Sequence, residues 1–542
     1  MKIALAQLNY HIGNFKANEK KIVNAIEEAK AKQAELVVFA ELSICGYPPR
    51  DFLQFDDFIA HCENSIEEIA QHCNGIAAIV GAPSKNPNKK GKPLYNSAYF
   101  LAEQKVQSVH HKQLLPTYDI FDEYRYFEPA GEVNCIQYKG KKIALTICED
   151  LWNIEGEYLY QKSPMKQLKS LGADFMVNIA ASPFHKNQTE ERDRVFAWNT
   201  KAFDLPLYYV NHIGAQTELI FDGGTAYYDS KGKKCTELNS FEEGLLFLDS
   251  EEDLKEVKPK PASSIEKIEK ALILGVRDYF KKLNFKTATL GLSGGIDSAL
   301  TLAIAVKALG AERVIPIMMP SQFSSDHSIT DSIALCNNLG CKYHEIAIKP
   351  IYDSFEKQLE PLFKDTAFNV AEENIQSRIR GALVMAHTNK FGTILLNTSN
   401  KSELAVGYGT LYGDMAGGLS VIGDLYKTEV YELSEYLNRD EEIIPTNILT
   451  KEPSAELRPN QKDSDSLPDY EILDKILYDY IENEMSPQQI SKKGYNEELL
   501  AKILRLVNLN EYKRHQAPPI LRVSKKAFGM GRRMPIVGKY LI

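Results

Sequence analysis

The chain has 542 residues, 44% of them hydrophobic and 25% charged, and a formal net charge of −9 at neutral pH. That length exceeds one ordinary domain and supplies enough apolar residues for two large cores. An acidic balance without any long Lys/Arg block excludes nucleic acid as the main partner, and no apolar run approaches membrane-spanning length. The start, Met1-Lys2-Ile3-Ala4-Leu5, runs straight into a strand-like segment without a signal peptide's apolar core, so a cytoplasmic setting is expected. Eight cysteines show no paired metal-ligand spacing and are read as reduced thiols, of which at least one is a catalytic candidate.

In the first half, strand-like runs fall at 2–8, 36–40, 76–80, 98–102, 142–147, 175–180, 207–211, 225–229 and 245–248. Helical patterns at 17–34, 57–72, 165–171 and 189–203 alternate with them, which favours an α/β class. Three polar residues stand at strand ends: Glu41 after Val37-Val38-Phe39-Ala40, Lys112 after a shorter run at 106–110, and Cys148 after Ile143-Ala144-Leu145-Thr146-Ile147. Functional groups in α/β proteins gather beyond the carboxyl ends of strands. Taken singly, Cys148 reads as a buried thiol, Glu41 as a helix cap and Lys112 as a surface charge. Taken together they supply a nucleophile, a base to remove its proton and a cation to stabilise an oxyanion, with no histidine required.

The segments Phe39-Ala40-Glu41-Leu42, His111-Lys112 with Leu115-Pro116, and Ile147-Cys148-Glu149-Asp150-Leu151-Trp152 resemble, in order and spacing, the three signatures of the nitrilase or carbon-nitrogen hydrolase superfamily. That resemblance implies an α-β-β-α sandwich and amide hydrolysis through a thioester on Cys148, with Glu41 as base and Lys112 as oxyanion holder. It also places Tyr118 and Ser182 at glutamine, as in the glutaminase members. Six residues after Ser182 those members usually carry a basic residue, and this sequence has Gln188.

Periodicity fades over 249–264, which is charged, then rich in Pro and Lys, then closed by serines; the domain boundaries are set at 1–248 and 265–542 with this linker between. The second half alternates helix 265–282, strand 287–292, helix 299–309, strand 314–318, helix 328–339, strand 343–348, helix 371–389 and strand 393–397. A doubly wound, mostly parallel sheet is expected, with a nucleotide at its carboxyl edge. Its first strand runs into Leu292-Ser293-Gly294-Gly295-Ile296-Asp297-Ser298, a turn and helix start whose backbone N–H groups suit an anion. The Walker lysine is absent and a carboxylate stands in its place, which suits Mg²⁺ held against a pyrophosphate; the plain alternative is a glycine turn with helix caps.

This loop resembles that of the ATP pyrophosphatase-type enzymes, implying ATP as co-substrate bound by residues 292–298 and by Thr398, just past the strand 393–397. Asn400-Lys401-Ser402-Glu403, Gly407-Tyr408-Gly409-Thr410-Leu411-Tyr412-Gly413-Asp414 and Asp424-Leu425-Tyr426-Lys427-Thr428 are similar to segments that distinguish the NAD synthetases. From residues alone Glu403 is an exposed residue behind a helix cap, Arg378 a solvated helical charge and Lys513 part of a basic cluster. The resemblance implies instead that Glu403 shares Mg²⁺ with Asp297, and that Asn374, Arg378, Glu403, Thr410, Asp414, Lys427 and Lys513 contact deamido-NAD⁺. Over almost the whole chain the resemblance is to glutamine-dependent NAD synthetases, which implies homo-oligomers using glutamine, ATP and deamido-NAD⁺. A nitrilase-type amidase fused to another pyrophosphate-releasing amide ligase is the alternative.

Overall fold

The continuous apolar runs of the first half become strands buried on both faces, as in β1 (Lys2–Gln7), where Ile3, Ala4, Leu5 and Ala6 are fully enclosed. The computed structural model describes residues 1–88, 90–249, 262–459 and 461–540, in two compact units, Met1–Ala262 and Ser263–Ile542. Most of the expected linker, 250–261, lies outside the described residues.

The first unit holds β1, β2 (Leu36–Val38), β3 (Ala77–Lys85), β4 (Leu94–Ala102), β5 (Lys105–His111), β6 (Ile136–Tyr138), β7 (Lys141–Ile147), β8 (Phe175–Ala180), β9 (Leu207–Asn211), the hairpin β10 (Ile213–Gln216) and β11 (Leu219–Asp222), β12 (Ala226–Tyr228), β13 (Lys234–Glu237) and β14 (Gly244–Asp249). Two six-stranded sheets result, ordered β14-β1-β2-β3-β4-β5 and β13-β12-β9-β8-β7-β6. Each has three parallel strands at its centre, β1-β2-β3 and β7-β8-β9, and antiparallel strands at its edges. Helices α1 (Phe15–Ala31) and α2 (Asp56–Gln71) cover the first sheet; α3 (Pro164–Ser170) and α4 (Gln188–Phe203) cover the second. This is the expected α-β-β-α sandwich, and its parallel cores bring the ends of β2, β7 and β8 to one side.

In the second unit Ser263 caps α5 (Ser264–Lys282) by accepting the Glu266 N–H. Then come β15 (Ala288–Leu292), α6 (Ile296–Leu309), β16 (Val314–Met318), α7 (Asp326–Leu339), β17 (His344–Glu345), α8 (Lys349–Phe363), α9 (Val370–Phe391), β18 (Ile394–Asn397), α10 (Lys401–Val406), β19 (Leu419–Ser420) and α11 (Lys427–Leu437). The sheet β17-β16-β15-β18-β19 is parallel throughout and reverses direction of growth at β15, as a doubly wound topology requires. The strand expected at 343–348 shrinks to two residues because it is an exposed sheet edge, with His344 and Glu345 both in solvent. Helices α12 (Thr446–Thr450), α13 (Tyr470–Ile481), α14 (Pro487–Ser491), α15 (Glu497–Leu509) and α16 (Glu511–Arg514) follow. Leu477, Ile503 and Val507 from this group share an apolar cluster with Leu404, which fixes α10 and thus Glu403. Among the described residues no helix is long and apolar enough to cross a membrane.

Candidate active sites

The strand ends of the first unit converge on a buried charge cluster. Lys112 Nζ, fully enclosed, donates to Glu41 Oε1 at 2.7 Å and to both carboxylate oxygens of Glu123 at 2.9 Å. Asn96 Nδ2 bridges the two carboxylates, at 2.7 Å to Glu41 and 3.2 Å to Glu123. Tyr47 donates its hydroxyl to Glu123 at 2.9 Å, and the Ala181 N–H after β8 donates to Glu41 Oε2 at 2.9 Å. Gly81 allows this approach: a Cβ there would stand 2.4 Å from the Leu42 nitrogen and 2.5 Å from the Ala40 carbonyl.

Cys148 begins a short 3₁₀ turn directly after β7, and its φ of +42° puts a non-glycine residue in the left-handed region. Such strain costs on the order of 1–3 kcal/mol and persists only where the surroundings impose it. Here they do. Asp150 accepts the N–H groups of Ile147 (3.0 Å), Gln113 (3.0 Å) and Leu114 (2.9 Å), tying the cysteine turn to the segment that carries Lys112.

Burial and then the Glu41 charge push the Cys148 thiol well up, against the pull of Lys112. Burial works against a charged Lys112, but Glu123 and Glu41 outweigh it and hold its pKa well above the ordinary value. The resting cluster is a neutral thiol beside a permanent ammonium.

Next to the cysteine, Glu149 is buried and accepts the hydroxyls of Tyr118 (2.9 Å) and Tyr160 (2.9 Å); burial raises its pKa to about 7. Ser182 follows Ala181, exchanges bonds with Asn211 (2.8 and 3.0 Å) and accepts Gln188 Nε2 at 3.0 Å. Glu123 and Tyr160 carry no sequence signal of their own, since neither follows a regular strand, whereas Glu149 lies within the segment around Cys148.

In the second unit the loop after β15 is held by its own serines: Ser293 and Ser298 hydroxyls lie 3.1 Å apart, and the Gly295 N–H donates to Ser293 Oγ at 3.2 Å. Gly294, at φ +80°, passes so close to α7 that a Cβ would meet the Ser328 carbonyl at 2.4 Å. Asp297 accepts Asn400 Nδ2 at 2.9 Å and Lys427 Nζ at 2.5 Å. Glu403 lies 3.5 Å from the same Lys427 nitrogen and closes a capping box with Asn400. Burial, then the facing Asp297, raise Glu403 to about 8 against Lys427.

Residues 291–298, Thr398, Glu403, Asp414, Lys427 and Asp463 line one cavity. The remaining expected contacts are held by neighbouring segments. Thr410 donates Oγ1 to Asn374 Oδ1 at 2.8 Å and its N–H to Asp414 at 2.6 Å. Lys513 donates to the carbonyls of Gly407 and Gly409 at 2.8 and 2.9 Å, bracing the loop. Arg378 is exposed, its Nε 3.3 Å from the Leu411 carbonyl, whereas Arg380 lines the cavity. Arg380 and the lining residues Lys451 and Asp463 carry no sequence signal beyond their charge. All eight cysteines are free thiols.

Residues 2–259 match the family described as carbon-nitrogen hydrolase, and residues 268–517 that described as NAD synthase. The glutamine-dependent NAD(+) synthetase of a Synechocystis species is 47% identical, with 98% of each chain covered. The chain belongs to the glutamine-dependent NAD(+) synthetase family. A second family member, from Acinetobacter baylyi, is 41% identical over 99% of this chain and 98% of its own. The family's structure from Acinetobacter baumannii, solved in complex with adenosine diphosphate, superposes with a TM-score of 0.79 at 38% identity, covering 99% of this chain and 98% of that one. The Cytophaga hutchinsonii member shares the fold at a TM-score of 0.83 and 22% identity, again over 99% and 98%.

Proposed function

We propose that the chain converts deamido-NAD⁺ to NAD⁺ with ATP and the amide nitrogen of glutamine, releasing AMP, pyrophosphate and glutamate. The supporting observation is that one chain carries both constellations this chemistry needs. One is a thiol beside a carboxylate-ammonium-carboxylate cluster; the other is an anion-binding loop facing two carboxylates. In the first unit Cys148 Sγ attacks the glutamine carboxamide while Glu41 takes the thiol proton. The thiol is neutral at rest, so proton transfer accompanies attack. Lys112, kept charged by Glu123 and Glu41, stabilises the oxyanion. The adduct collapses, Glu41 returns the proton to the leaving nitrogen, and ammonia departs from a glutamyl thioester. Glu41 then deprotonates the water that releases glutamate. Tyr118, Ser182 and Gln188 line the glutamine pocket, where the buried Glu149 carboxylate accepts the substrate's ammonium group.

In the second unit residues 292–298 and Thr398 hold ATP. The nicotinate carboxylate of deamido-NAD⁺ attacks the α-phosphate, pyrophosphate leaves, and ammonia displaces AMP from the mixed anhydride. Asp414, Lys427 and Glu403 contact deamido-NAD⁺ from the cavity wall, together with Asn374, Arg378, Thr410 and Lys513 from the neighbouring segments. The donor set fits Mg²⁺. Asp297 and Glu403 converge on one lysine nitrogen, and burial and then Asp297 raise Glu403 to about 8, so ionising both carboxylates at neutral pH calls for a further cation beside Lys427. These two carboxylates would hold Mg²⁺ together with phosphate oxygens, and the ion would neutralise charge on the departing pyrophosphate. The homo-oligomeric state belongs to the same proposal; exposed Phe355 and Leu362 on α8, Phe368 in the segment that follows it and Val370 at the start of α9 offer apolar surface to a second copy.

Incubation with ATP, Mg²⁺, deamido-NAD⁺ and glutamine tests the proposal: NAD⁺, AMP and pyrophosphate are expected. ADP and phosphate in their place would contradict adenylylation.

A further inference from the structure

Three basic side chains line the cavity of the second unit, and their circumstances differ. Lys427 is neutralised by Asp297 and Glu403. Lys451 is neutralised by Glu456 at 2.7 Å. Arg380, half-buried on α9, has no carboxylate within 4.0 Å among the described residues. Its one hydrogen bond there runs from Nε to the Met319 carbonyl at 3.0 Å, just past the end of β16. The two Nη groups are left to donate elsewhere. Burial lowers its pKa to about 10, with Glu456 and Asp414 opposing from a distance, so the guanidinium is charged at neutral pH yet locally uncompensated. A desolvated cation held without a counter-charge, facing a cavity, is costly unless an anion fills the place.

Its position identifies which anion. Met319 ties the guanidinium to the carboxyl end of β16, the neighbour of β15 and its loop. The adjacent Gly381 packs so closely on the 412–414 segment that a Cβ would lie 2.8 Å from the Tyr412 carbonyl, which brings α9 against Asp414. Arg380 therefore lines the cavity interval bounded by the loop assigned to pyrophosphate and by Asp414 of the wall assigned to deamido-NAD⁺. The reacting α-phosphorus of ATP must occupy that interval, with pyrophosphate on one side and the nicotinate carboxylate on the other.

We propose that Arg380 is a catalytic residue of adenylylation, its two Nη groups clamping the non-bridging oxygens of the ATP α-phosphate, an inference that rests on the synthetase function proposed above. In this step a carboxylate oxygen of nicotinate forms the new bond to phosphorus. The bond from phosphorus to the bridging oxygen breaks, and its electron pair leaves with pyrophosphate. No proton moves. Charge crowding on the α-phosphate oxygens as entering and leaving groups pass is what a planar, two-pronged donor stabilises, and a lysine reproduces only its charge.

The test compares parent enzyme with Arg380→Met and Arg380→Lys in ammonia-driven NAD⁺ synthesis and in deamido-NAD⁺-dependent exchange of labelled pyrophosphate into ATP, alongside thermal melting. Arg380→Met is expected to lower kcat of both reactions by about 100-fold or more, as loss of a transition-state donor does, with the ATP KM within about threefold of the parent. A smaller loss of kcat, or a raised ATP KM at unchanged kcat, overturns the clamp. If the methionine variant melts early, the lysine variant decides: a kcat reduced by more than about fivefold supports the two-pronged contact, and anything less refutes it. A parent enzyme that makes no NAD⁺ from ammonia would instead defeat the functional proposal itself.

Discussion

The two sites balance their charges differently. Around Cys148 the protein supplies everything: one ammonium between two carboxylates, an amide bridging those carboxylates and a neutral thiol. Around Asp297 one ammonium again meets two carboxylates, but burial and mutual repulsion raise Glu403 to about 8, so the pair is not fully ionised at neutral pH, and a guanidinium lining the same cavity has no carboxylate within 4.0 Å among the described residues. The first arrangement is preorganised for a neutral amide. The second is completed only when a polyanion and its counter-ion arrive.

Removing the nucleophile should separate the sites most sharply. Cys148→Ala is expected to lower glutamine-driven synthesis by at least about 10⁴-fold while ammonia-driven synthesis stays near the parent rate. Loss of both activities would mean the sites are not chemically separate. The reciprocal change, Asp297→Ala, should cut synthesis from either nitrogen source by roughly 10²–10³-fold and leave glutaminase turnover measurable. Chelation of divalent cations should reproduce that pattern, and synthesis unaffected by a chelator would remove Mg²⁺ from the account.

Glu123 tests whether the closed cluster matters as a whole. Glu123→Gln keeps the shape but removes one of the two charges that hold Lys112 as an ammonium, so glutamine hydrolysis should fall by about 10- to 100-fold, with ammonia-driven synthesis unchanged. The smallest effect concerns Glu149. Its pKa is raised to about 7, so it is charged above that pH and neutral below it. The glutamine KM should therefore rise several-fold as pH falls through about 7, and this dependence should flatten in Glu149→Gln. An unchanged profile in that variant would assign the ammonium contact to another group.

What the sequence made legible follows from where signals are strong. Glu41, Cys148 and the 292–298 loop lie just beyond apolar runs that can only be buried parallel strands, so position and chemistry coincide. Lys112 follows β5, an edge strand with exposed residues, and was legible chiefly through the spacing of its neighbours. Glu123 sits on an isolated 3₁₀ turn and reaches the cluster through tertiary packing alone, which no periodicity records. Helix α8 is hard to read from the sequence because Tyr352 is its one buried residue and Pro361 lies within its last turn. Helices α13 and α15 carry strong apolar faces, yet nothing in their chemistry shows that they brace α10 and Glu403. Arg378 and Arg380 are two residues apart on one helix and so point to different sides; that Arg380 lines the cavity is visible only in the fold.

The most direct measurement follows nitrogen. Parent enzyme and Cys148→Ala are each given ATP, Mg²⁺, deamido-NAD⁺, glutamine labelled with ¹⁵N at its amide, and unlabelled ammonium. Label should enter the NAD⁺ carboxamide in the parent and be absent from the NAD⁺ made by Cys148→Ala. Complete absence of label from the parent's NAD⁺, or labelled NAD⁺ from the variant, would contradict a Cys148 site that feeds the site around Asp297.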